Sequence, residues 1–152
     1  MSRQPLVPIC LLVGALLLAP TAAPAADAWV SLTNQREPLY VHNLRIHYLR
    51  DIMGGEELVV MLPEQQKYTK YAFSDVRTVH VLGVAGFRYL RPSFKIRLTL
   101  MESAHWQDVL LMPVASLSGD VAGRPWKLRF ESLDDEDIEK AELLKELRFV
   151  HE

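Results

Sequence analysis

Cysteine is all but missing. Cys10 is the only one in 152 residues, and it lies in a stretch marked for removal. The domain left behind has no disulfide, no thiolate nucleophile and no cysteine metal ligand, so an apolar core must hold it together. Glycine is scarce at seven, and the nine prolines show no period, which excludes a collagen-like or low-complexity chain. Neither sign of charge dominates, and the formal net charge of −2 removes bulk attraction to nucleic acid as a default role. No apolar run is long enough for a membrane span; Ile9–Leu18 has about half the ~20 residues required. Hydrophobic residues make up 49% of the chain, too many for disorder, and the length suits one domain.

Residues 1–25 carry the three parts of a signal peptide: Arg3, the Ile9–Leu18 run, and a small-residue end in which Ala23 and Ala25 form an A-x-A pair. Cleavage before Ala26 is expected, leaving a single soluble domain over 26–152, secreted, with a bacterial periplasm as the natural compartment. No membrane insertion of the mature chain is expected.

Within that domain charge is uneven. Residues 26–130 carry thirteen Lys/Arg against ten Asp/Glu, whereas residues 131–152 carry three against nine. The acidic end reads as a helix over about 133–147: Ser132 caps it, Asp134–Asp137 crowd its first turn, and Ile138, Ala141, Leu144 and Leu147 form its apolar side. Upstream, Ala28–Leu32 reads as a strand. Leu44–Met53 reads as a helix capped by Asn43 and stopped by Gly54-Gly55. Glu57–Leu62 reads as a buried strand closed by Pro63, and Glu64–Val76 as a second amphipathic helix. Further on, Phe94–Leu100 and Trp126–Phe130 alternate with a period of two, as strands do. Asp108–Leu117 suits either a helix or a buried strand broken at Pro113, and Gly119–Pro125 is a turn-rich connection. The expected fold class is α/β or α+β, one domain with a mixed sheet flanked by helices.

Three runs, Leu49–Gly55, Leu58–Pro63 and Tyr71–Val76, followed by Val81–Val84 and Phe87–Arg91, resemble short periplasmic proteins related to phosphate-type ABC-transporter solute-binding proteins. The resemblance spans residues 44–91. It implies a relative of one lobe of a periplasmic binding protein, since a two-lobed clamp needs about twice this length, and it implies an oxyanion ligand such as phosphate or an accessory role in transport.

The residues themselves favour binding over catalysis. There is no G-x-S-x-G elbow, no lysine after Gly54-Gly55 to complete a P-loop, and no G-x-G-x-x-G. His42 and His47 are five apart, which is not the spacing of a helical metal pair, so no metal, cofactor or enzymatic activity is expected. Guanidinium groups grip oxyanions through paired hydrogen bonds, which makes Arg45, Arg50, Arg88 and Arg91 the candidates for an anion. Ser31, Thr33 and Asn34 could add hydroxyl and amide groups at a strand end. The expected site is therefore Ser31, Thr33, Asn34, Arg88 and Arg91, in a pocket beside the Thr33–Arg36 loop. The alternative is a non-catalytic structural or assembly factor that binds a periplasmic or membrane protein.

Overall fold

The computed structural model describes residues 25–49, 55–62, 64–88, 91–130, 141 and 143–152. They build one antiparallel sheet of ten strands. In chain order these are β1 (Ala26–Leu32), β2 (Leu39–Tyr48), β3 (Glu57–Leu62), β4 (Lys67–Ala72), β5 (Val76–Arg88), β6 (Arg91–Leu100), β7 (Trp106–Leu111), β8 (Val114–Val121), β9 (Arg124–Arg129) and β10 (Leu144–Phe149). Across the sheet the order is β4-β3-β7-β6-β5-β10-β1-β2-β8-β9. Five neighbouring pairs are consecutive in the chain; the others are β3 with β7, β2 with β8, and β10, which is inserted between β5 and β1. Among the described residues no helix is long and apolar enough to cross a membrane.

This overturns the expected α/β or α+β domain, and with it the likeness to one lobe of a periplasmic binding protein. The Leu44–Met53 helix is instead the second half of β2, and residues 50–53 lie outside the described residues. The Glu64–Val76 helix is β4 followed by a single 3-10 turn at Phe73–Asp75. At the C-terminus Leu144–Phe149 is a strand. Among the described residues there, Ala141 and Leu143 carry helical backbone; residues 131–140 and 142 lie outside the described residues.

Each misleading pattern has a cause in the sheet. Leu44 and Tyr48 are four apart, as on a helix face, but four is also an even spacing that turns both inward on β2, and Val41, three residues before Leu44, is buried beside them across a bulge. The register steps by three residues on β2, from His42 to Arg45, against two on β8, from Asp120 to Ser118. Asn43 takes up the extra residue with φ at 53°, so the expected helix cap is the residue of a β-bulge. Leu144 and Leu147 repeat the effect, because Ser31 faces Glu146 while Leu32 faces Leu144. A bulge lets two inward residues sit three apart. Where the sequence kept strict alternation, at Phe94–Leu100 and Trp126–Leu128, strands form as expected. The Gly119–Pro125 connection shrinks to a two-residue hairpin, with Ala122 and Gly123 both at positive φ, as a type I′ turn requires.

The sheet rolls until its distant strands meet. Ile46 N donates to Gly55 O at 2.8 Å, and Tyr48 Oη donates to Glu57 O at 2.9 Å while accepting from Val59 N at 2.9 Å. These bonds bring β2, eighth in the sheet, against β3, second in it. Val30, Leu44, Ile46, Val79, Ile96, Leu98, Leu117 and Leu147 fill the interior. Across the roll the Phe94 and Phe130 rings meet edge to face at 5.4 Å. The close approach of β8 to β2 needs a glycine: a Cβ on Gly119 would overlap Val41 Cγ1 and stand 2.6 Å from His42 O. Gly119→Ala is therefore expected to destabilise the fold by about 1–3 kcal/mol in urea denaturation, since backbone on one side cannot yield.

Candidate functional site

Directly paired residues of an antiparallel ladder point to the same side. Val60 and Leu111, which face each other, are buried in the interior. Their neighbours Met61 and Leu110 also face each other and must point outward, in one row with Tyr68 on β4 and Lys95 on β6. The outer side of these strands thus carries apolar side chains where solvent-facing strands normally carry polar ones. Beside them the floor drops: Gly86 faces Ser93, and Ala85 is the extra residue of a bulge between Val84 and Gly86. Small residues next to large ones make a depression of about 230 Å³, lined by Met61, Tyr68, Phe87, Leu110 and Met112, and by Arg88. Tyr68 and Phe87 are each 48% exposed, unusually open for aromatic rings.

Among its described residues the groove offers an apolar lining and a cation, and no reactive group. Ser93 Oγ donates to Leu111 O at 2.8 Å, so its proton is committed to the backbone. Its described lining holds neither an acid–base pair nor a nucleophile with a base. Among the described residues no three His, Cys, Asp or Glu side chains are placed to hold a metal ion.

Of the five expected site residues, only Arg88 lines this groove. Arg91, at the start of β6, uses Nη1 to hold Leu49 O at 3.1 Å. Ser31 is on β1 opposite Glu146, and Thr33 and Asn34 form the exposed turn after it. Thr33 N donates to Leu143 O at 2.7 Å, which ties that turn to the strand β10 that follows. A cavity of about 340 Å³ does adjoin Thr33, but Val81, Leu82, Val84, Leu144 and Lys145 line it, with no arginine among its described residues. Gly83 belongs to that cavity and Arg88 is five residues further along β5, roughly 16 Å at ~3.3 Å per residue. The expected set does not converge. Of the other two arginines, Arg45 pairs with Glu56 at 3.1 Å, and Arg50 lies outside the described residues.

Met61, Tyr68, Phe87, Leu110 and Met112 were missed because they read as core. The signal was present, however: the unbroken runs Leu58–Leu62 and Val109–Met112 put apolar residues on both sides of their strands.

The best-connected polar cluster lies elsewhere, on β1 and β2. Asp27 accepts from Tyr40 Oη at 3.1 Å, Asn43 N at 3.1 Å and His42 Nδ1 at 3.0 Å. Partial burial works to raise the Asp27 pKa, but these donors outweigh it and hold the carboxyl below its ordinary range. Asp108 is lowered too, first by its hydrogen bond from Arg97 at 3.0 Å. A depressed carboxyl contributes stability above its unfolded pKa, about 4, and loses it as pH falls through the folded value. The urea midpoint should therefore fall with acid below pH ~4, and the Asp27→Asn, Asp108→Asn double variant should show a shallower fall.

No protein-family model, curated protein or solved structure matches the chain.

Proposed function

We propose that the protein is an exported, non-catalytic binding module that holds a small amphipathic molecule, its apolar body in the Met61–Phe87 groove and an anionic head at Arg88. The observation that carries this reading is the apolar depression beside the outward residues Met61, Tyr68 and Leu110, which Arg88 also lines and which holds no acid–base pair among its described residues. Apolar lining with few polar groups is the usual make-up of a ligand pocket. The oxyanion expected from the sequence enters this reading as the head of the ligand. The protein-partner alternative is less well supported, because both free edges discourage strand addition: β4 carries Lys67 and Lys70, and β9 carries Pro125 and Lys127.

Calorimetry with decyl phosphate, decanol and inorganic phosphate tests the reading. Decyl phosphate should bind, decanol about tenfold more weakly, and phosphate alone not at all, since the charge-assisted bond adds to an apolar term. Leu110→Glu should abolish binding of decyl phosphate, and Arg88→Ala should reduce it to the level of decanol. No heat with decyl phosphate, or equal loss of decanol and decyl phosphate in Arg88→Ala, would overturn it.

A further inference from the structure

One row on the outer side of the sheet runs unbroken across six strands: Tyr40, Trp29, Arg148, Thr78, Thr99 and Trp106, each directly opposite the next. Two of its residues are exposed tryptophans, Trp106 at one end at 57% and Trp29, next to Tyr40 at the other, at 39%. Four strand spacings separate them, about 19 Å at ~4.8 Å each. The groove is a different surface, since Ser93 is six residues along β6 from Thr99, roughly 20 Å.

Exposed tryptophans that far apart call for an explanation, because neither packs into the interior. Between them lie hydroxyls and ion pairs. In the next row Arg97 binds Asp108 at 3.0 Å and stacks over the Trp106 ring at 3.8 Å, while Glu146 takes Arg148 at 3.0 Å and His80 at 3.6 Å. The cations of this face are thus matched by carboxylates of the same face. It offers donors, acceptors and flat rings, but little net field for a charged polymer to follow. A protein interface would have its apolar residues at the centre and its polar ones at the rim, the reverse of what stands here.

We propose that this face binds an extended polysaccharide of uncharged sugars, with Trp29 and Trp106 each stacking on a sugar ring and Thr78, Thr99 and the paired charges taking hydroxyls between them. A pyranose presents C–H groups on its faces and hydroxyls at its edge, which is the chemistry an aromatic ring flanked by polar side chains complements. The span between the rings is more than one sugar covers, so the ligand is a chain and not a monosaccharide.

Tryptophan fluorescence titration of the full mature chain with chitohexaose and cellohexaose, and with their disaccharides, tests this. At least one hexasaccharide should bind, about tenfold or more tightly than its disaccharide. Trp106→Ala should weaken the bound hexasaccharide about tenfold, read by calorimetry, with the groove variant Leu110→Glu unchanged. Trp106 is the better position to alter because it is the more exposed ring; Trp29→Ala should act likewise, its folding checked by circular dichroism. Binding of neither hexasaccharide overturns the proposal, as does equal affinity for disaccharide and hexasaccharide or full affinity in Trp106→Ala. A dimer that Trp106→Ala dissolves, with no sugar binding, would give the face to a second copy and also overturn it.

Discussion

Phe94→Ala should lower the stability of the protein by about 3–5 kcal/mol, the largest effect expected of any single substitution here. Phe94 is fully buried on β6, and its ring touches Phe130, which follows the last strand of the other end of the sheet. Truncation removes the apolar transfer of a whole ring and leaves a hole between two strands, β6 and β8, that their own hydrogen-bond ladders hold in place. The backbone cannot collapse into it without breaking those ladders. A double-mutant cycle with Phe130→Ala should show the two changes falling short of additivity by about 0.5–1.5 kcal/mol, the coupling of an edge-to-face pair. Full additivity in urea denaturation would mean that the two rings do not join the ends of the roll.

Tyr48→Phe should cost about 2–3 kcal/mol although it deletes a single oxygen. The phenol is 2% exposed and serves two backbone groups of β3, accepting from Val59 N and donating to Glu57 O. Phenylalanine fills the same volume, so no cavity opens. What remains is a buried N–H with no acceptor, and that desolvation is the cost. The same environment gives an alkaline signature. Burial, with the nearby Glu57 carboxylate adding to it, pushes the Tyr48 phenol far above its ordinary value despite the hydrogen bond from Val59. A raised folded pKa contributes stability below the unfolded value, about 10, which is lost as pH climbs beyond it. Wild type should weaken above pH ~10 more steeply than Tyr48→Phe. Equal slopes would show that the phenol does not bridge β2 and β3.

How much of this was legible can be judged strand by strand. Glu57–Leu62 was read with its bounds intact, since a short apolar run closed by proline leaves little else to form. Phe94–Leu100 declared itself by alternation. β2 and β10 did not: Leu44 and Tyr48 are four apart, an even spacing on a strand as well as a helical one, and Lys145 adds a residue to β10 and turns an inward period of two into a spacing of three. Spacings of three and four are also the helical ones, and nothing local separates the two. Asn43 compounds the ambiguity: the side chain that favours a helix cap also tolerates positive φ. The candidate site was less legible still. Arg88 was among the expected residues, but its company was decided by which strands lie beside the β5–β6–β7 meander, and β3 with β4 arrives there from an earlier part of the chain.

Composition alone determined that residues 26–152 have neither disulfide nor thiol chemistry and rely on apolar burial, because the one cysteine precedes Ala26. Tertiary structure alone decided that the apolar residues of the expected helices would be strand residues, that the sheet would roll, and that Met61 and Leu110 would face outward. The physical reason is the reach of the interactions: composition sets what can be buried, whereas a ladder partner many residues away sets which side of a strand each residue takes.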